Sequence, residues 1–145
     1  MLAEKYPVIA SEDHTAFDFL SEGPKGTIRK IVRYQKITAS IFNLAFGDWD
    51  DEKQSLSDLT RSNNADMEKV LATVAFTVFA FMDHHPGATV IAQGATPART
   101  RLYQMGIKAN WKEISLLFSV KGLTDKGWSD FVSDQNYDAF LISVR

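Results

Sequence analysis

Residues 65–103 read ADMEKVLATVAFTVFAFMDHHPGATVIAQGATPARTRLY. This stretch decides the fold, because it holds a helix, a strand and a second helix, each with its own punctuation. Over 65–84 the apolar residues Val70, Leu71, Val74, Ala75, Val78, Phe81 and Met82 recur at helical spacing, while Phe76 and Phe79 widen the apolar surface beyond one stripe. Such a helix must be packed on more than one side. Asn63 or Asn64 can cap its start, and Pro86-Gly87 ends it. Residues 88–93 are a short buried-type strand and Gly94-Ala95 turns the chain. Thr96 then supplies an N-cap with Pro97 at the first helical position, which predicts a helix from 97 to about 105.

Working outward, residues 16–20, 27–37 and 39–46 carry the β-rich, alternating composition of three strands, separated by 21–26 and stopped at Gly47-Asp48. In the second of them Ile28, Val32 and Tyr34 fall on one side and Arg29, Arg33 and Gln35 on the other. Residues 49–64 are polar and aperiodic, which predicts a long, mobile surface connection suited to a lid. Toward the carboxyl end, Asn110-Trp111-Lys112-Glu113 has capping-box spacing and opens a helical turn before the apolar 116–120. A loop over 122–127 follows. Residues 128–132 read as a short helix, and 139–144 alternate as a final strand. The order βββαβαββ predicts an α+β sandwich: one domain over 1–145 with a mixed, largely antiparallel sheet packed against helices.

A chain of 145 residues with 45% hydrophobic and 23% charged residues builds a core without staples. The 16 basic and 18 acidic residues leave a net charge of −2, so no global field attracts a polyanion and a nucleic-acid partner is not expected. The absence of cysteine excludes disulfides, thiolate metal sites and a cysteine nucleophile, and fits a reducing compartment. Glu4, Lys5 and Pro7 interrupt the first ten residues, unlike a signal peptide, and the longest apolar run, 70–82, is shorter than the roughly 20 residues that span a bilayer. The expectation is a cytoplasmic protein with no membrane partner. Nothing in the sequence sets an oligomeric state.

Two resemblances extend this reading. The segments Ser62-Asn63-Asn64, 69–75 (KVLATVA), 99–103 (RTRLY) and 137–142 (YDAFLI) resemble a family of short uncharacterised bacterial proteins over nearly the whole chain. More remotely, the element order and the run Gly94-Ala95-Thr96-Pro97 followed by Leu102-Tyr103 and Gly106-Ile107 resemble the GNAT superfamily of acetyl-coenzyme A-dependent N-acyltransferases. The second resemblance implies that Tyr103 stands where those enzymes protonate the leaving thiolate. It also implies that the segment starting at Arg61 corresponds to their phosphate loop, with Asn63 and Asn64 where glycine is usual and Asp66 close behind. Acetyl-coenzyme A is the cofactor it implies.

Each candidate has a plainer counterpart. Tyr103 is a general acid or a packed amphipathic ring. Arg99 and Arg101 lie in the first turns of a helix, where the dipole disfavours cations unless an anion is near; carboxylates such as Asp48 or Glu113 are alternative partners. His84-His85 reads as a solvated helix end, and Asp48, Asp50, Asp51 and Glu52 around Trp49 as a solvated acidic loop, so no metal site is expected. Lys25, Arg29, Lys30, Arg33 and Lys36 read as protection of a sheet edge. Two functions remain. One is a small-molecule N-acyltransferase, or a degenerate relative that binds acyl-coenzyme A or another small anion through Arg61, Asn63, Asn64, Thr96 and Arg99. The other is a non-enzymatic protein-interaction module using the Trp49 loop and the basic strand.

Overall fold

Alternation along the first half of the chain sorts its side chains onto two faces of one sheet. The computed structural model describes residues 4–57 and 64–145. Strands β1 (Ile9–Ala10), β2 (Ala16–Gly23), β3 (Gly26–Lys36) and β4 (Ile41–Asp50) form an antiparallel meander, and β5 (Ser55–Ser57) folds back onto the end of β4. Helix α1 (Met67–His84) carries the chain across to β6 (Thr89–Ala92), which lies parallel to β4. Then come α2 (Pro97–Ala109), α3 (Trp111–Leu117) and the hairpin β7 (Phe118–Thr124) and β8 (Gly127–Asp130). The last strand, β9 (Ala139–Val144), inserts between β6 and β7, giving the order β1-β2-β3-β4-β6-β9-β7-β8. This is the α+β sandwich that the element order predicts: a mixed, mostly antiparallel sheet with the parallel β4–β6 pair of GNAT-like folds.

The register makes the two faces explicit. Tyr34, Leu44, Ala92, Phe140 and Gly122 stand in one row across five strands, and Gln35, Asn43, Ile91, Leu141, Lys121 and Asp130 form the neighbouring row on the opposite face. The first row faces the helices: α1, α2 and α3 all contribute to a space walled by Leu44, Phe46, Ala92 and Ile142. Phe81 of α1 anchors this layer, stacked on Tyr34 at 4.2 Å between ring centres and edge-on to Phe42 at 4.9 Å. The two threonines that α1 buries return their hydroxyls to its own backbone, Thr73 to the Lys69 carbonyl and Thr77 to that of Val74. Their oxygens also serve neighbours, Thr73 Oγ1 accepting the Tyr6 amide and Thr77 Oγ1 lying 2.8 Å from the Tyr34 hydroxyl.

Several expectations are corrected. The stretch after Gly47 is not simply a loop: β4 runs on to Asp50, and β5 pairs Leu56 with Trp49. Its polar residues hid the alternation that Trp49 continues. Residues 128–130 belong to strand β8 and 131–132 follow it without helix, because Gly127, at φ +98°, closes a tight turn back onto β7. Helix α2 passes through Gly106 to Ala109, with Gly106 packed against Leu71 of α1. Asn110 forms no capping box; its amide donates to the Gly106 carbonyl and closes α2. The basic strand β3 lies between β2 and β4 and so protects no edge. His84 is exposed at the end of α1, in line with the solvated helix end read from the sequence, and stacks on His14 at 3.4 Å, while His85 Nε2 lies 2.7 Å from the Asp13 carbonyl oxygen.

Candidate functional site

Strand β4 has β3 along one edge from Phe42 to Asp48, so β5 and β6 must share the other. Strand β6 takes that edge over Ile41–Leu44 and β5 takes it over Asp48–Asp50. Among the described residues no strand pairs with Ala45, Phe46 and Gly47 on that side. These three leave a notch roughly 10 Å long at the carboxyl end of the parallel pair, where α/β sheets characteristically place ligands.

Helix α2 begins beside this notch. After β6 the chain turns at Gly94, and the Arg99 side chain lies so close that a Cβ on Gly94 would stand 2.5 Å from its Cβ and Cγ. Only glycine permits that approach. Thr96 caps α2 by accepting the Arg99 amide at 3.2 Å, and Thr100 Oγ1 accepts the Gly94 amide at 3.0 Å, so turn and helix start form one hydrogen-bonded unit. The Arg99 side chain is held over the core side of β4, its guanidinium carbon 5.8 Å from the Phe46 ring centre. Arg99 is 8% exposed.

Lys30 approaches the same ring from β3, also at 5.8 Å, and its Nζ lies 2.5 Å from Asp48 Oδ1 in an ion pair with both side chains largely buried. The sequence reading placed Asp48 in a solvated acidic loop and Lys30 on a basic edge. The signal that finds them is parity, because Lys30 has the phase of Val32 and Tyr34, and Asp48 that of Leu44 and Phe46. The rest of the acidic group shapes a turn, with Asp50 Oδ1 accepting the Glu52 and Lys53 amides. Among the described residues no cluster of histidine and acidic side chains is arranged to hold a metal ion.

Tyr103, one turn after Arg99, is buried in the wall of a cavity of about 40 Å³ between α1, α2 and β4, lined otherwise by apolar side chains and Gly106. Its neighbour Tyr34 is held well above the ordinary phenol range, first by burial and in small part by Tyr103 itself, while the bond to Thr77 acts the other way.

Asn64 is used elsewhere. Fully buried, its Oδ1 accepts the Lys25 amide and its Nδ2 donates to the Gly26 carbonyl and to Ser21 Oγ, closing the β2–β3 hairpin. The N-cap of α1 is instead Asp66, whose side chain makes no cap bond and accepts from the hydroxyls of Tyr6 at 2.6 Å and Ser21 at 2.5 Å. The structure thus groups Thr96, Arg99 and Tyr103 on α2 and separates Asn64 in role. Arg61 and Asn63 lie outside the described residues.

The curated proteins and the solved structures contain no match to the chain. A family model matches residues 2–145, nearly the full length, and the chain belongs to that family, the family of unknown function DUF6934.

Proposed function

We propose that this protein binds an anionic, amide-bearing ligand of the acyl-coenzyme A class in the notch at Ala45–Gly47, as a GNAT-like small-molecule N-acyltransferase or a degenerate relative. The observation that carries the reading is the edge of β4 at Ala45–Gly47, beside Arg99, with which no strand pairs among the described residues. An extended ligand with amides can add to such an edge as a short strand would, and Arg99 supplies the charge for its phosphates.

The helix starts bear on where the anion goes. In α1 the N-cap is Asp66 and Glu68 lies in the first turn, which disfavours a phosphate there. In α2 the first turn has no acidic residue and is capped by Thr96, so the anionic end is assigned to α2 with Arg99 and Thr96. Bound in this way, the coenzyme would supply an activated acyl thioester. The cavity beside Tyr103, about 40 Å³, has room for about three water-sized groups and suits a two-carbon acyl group better than a long chain. In this reading Tyr103 returns a proton to the departing thiolate. The alternative is an interaction module using the Trp49 loop and the basic strand; Trp49 lies within β4 and the basic strand is β3, between β2 and β4.

Calorimetric titration with acetyl-coenzyme A tests the reading. Saturable binding to the wild type and at least about 10-fold weaker binding to Arg99→Gln are expected, given the worth of a charge-assisted hydrogen bond. No heat from the wild type at millimolar ligand would overturn it.

A further inference from the structure

Helix α3 follows α2 with hardly a break. Hydrogen bonds from i to i−4 continue through Asn110, whose amide donates to the Gly106 carbonyl and whose carbonyl accepts the Ile114 amide. At about 100° per residue, Arg101, Met105, Lys108, Ala109, Lys112 and Leu116 therefore share one stripe about 100° wide. All six are exposed, Met105 to 50% and Leu116 to 75%, and Leu117, at 54%, widens the apolar end. The charge of the stripe has one sign. Among the described residues Arg101, Lys108 and Lys112 pair with no carboxylate. Glu113, the only acid of these two helices, is half-buried to one side and already partnered, and the exposed acids of α1, Glu68 and Asp83, stand near the two ends of that helix. A chain of net charge −2 thus gathers three unpaired cations and two protruding leucines on one surface.

We propose that this stripe docks the protein on the surface of an anionic lipid bilayer, with Lys108 and Lys112 among the headgroups and Leu116 and Leu117 at the acyl boundary. Sign and shape together select that partner. None of these side chains lines the cavity between the helices or the open clefts of about 560, 520 and 400 Å³ elsewhere on the described surface. A stripe without a groove gives a peptide no pocket for its side chains, whereas a bilayer asks only for cations around a protruding apolar end. Each basic residue near an anionic surface raises partitioning about five-fold, so three give about 10²-fold, an attachment that is reversible and sensitive to salt. The expectation of no membrane partner rested on the want of a spanning segment. No helix among the described residues is long and apolar enough to cross a membrane, and surface docking needs none. The proposal is independent of the ligand reading, because Arg99 and Tyr103 are on the buried side of α2.

Co-sedimentation with phosphatidylcholine vesicles containing about 30% phosphatidylserine should carry the wild-type chain down in about 0.1 M salt. Binding should be at least about 10-fold weaker with pure phosphatidylcholine or in about 0.5 M salt. The double variant Lys108→Glu, Lys112→Glu, at two exposed positions, should bind the anionic vesicles at least about 30-fold more weakly. Because the chain has no cysteine, a polarity-sensitive dye on Leu116→Cys reads insertion separately, and its emission should move to the blue on those vesicles. A wild type that stays in the supernatant would overturn the proposal, as would a folded double variant that binds like the wild type. So would a dye that stays in water while the protein binds. Equal affinity for poly-L-glutamate would also overturn it, in favour of an acidic protein partner.

Discussion

Helices α1 and α2 lie side by side on one face of the sheet, yet the sequence spends them differently. Helix α1 buries ten of its residues, and its two buried hydroxyls go to its own carbonyls while also serving Tyr6 and Tyr34. Helix α2 is capped, amphipathic, and buries Arg99, Thr100, Tyr103 and Gln104 along with its apolar residues. The first helix converts apolar area into stability and leaves its N-cap side chain to Tyr6 and Ser21. The second buries polar groups, of which Arg99 lies beside the stretch of β4 that no described strand pairs on that side. On the proposed reading, stability depends mostly on α1 and ligand chemistry on α2.

The strongest way to break that contrast is Val74→Asp. Val74 is 8% exposed and faces the apolar cavity, whose lining holds no cation to pair with a carboxylate. The cost is expected to exceed about 4 kcal/mol, a fall in Tm of about 10–20 °C or loss of the cooperative melt. A Val74→Asp protein melting within a few degrees of the wild type would mean that α1 is not the pillar of the core.

A second test uses alkali. Burial raises the pKa of the Tyr34 phenol above its unfolded value near 10. The folded state therefore favours the neutral phenol, so its contribution is fully present below pH 10 and is lost as pH rises beyond it. The loss for this group is about 1.4 kcal/mol per pH unit. Tyr34→Phe forfeits the hydrogen bond to Thr77, about 1 kcal/mol at pH 7, but has no proton to lose. Urea midpoints of the two proteins should converge and then cross between pH 9 and pH 12. Parallel pH profiles would show that the hydroxyl reaches water.

The stretch 65–103 was legible because helical and strand periods there coincide with clear punctuation at Pro86-Gly87 and Thr96-Pro97. What escaped had weak or double-edged signals. Gly106 resembles a helix stop but lies inside α2, and Asn110, read as the opening of the next helical turn, also closes α2. Strand β8 is four residues long, too short to display a period. Asn64 has the composition of a cap, and only its distant partners on the β2–β3 hairpin reveal another use. The pair Lys30–Asp48 joins residues 18 apart in sequence, and two charges on an apolar phase look like errors of alternation until β3 and β4 are laid side by side. The candidate site was half readable: Thr96, Arg99 and Tyr103 follow from one helix, whereas the notch exists only in the pairing of three strands.

The smallest expected effect sharpens the comparison most. Tyr103→Phe keeps the ring that walls the cavity and removes one hydroxyl, so the loss of stability should be about 1 kcal/mol or less, well below that of Val74→Asp. Acetyl-coenzyme A affinity should stay within about two-fold of the wild type, because the proposed anion contacts belong to Arg99 and the start of α2. Turnover of an accepted amine should instead fall by about 10²- to 10⁴-fold, the usual consequence of losing a general acid. Measured on the same protein, the three quantities separate the roles. A large loss of stability with unchanged specific activity would make Tyr103 a core residue like its neighbours on α1. A loss confined to turnover would set α2 apart as the helix that carries the chemistry, on a scaffold that α1 holds in place.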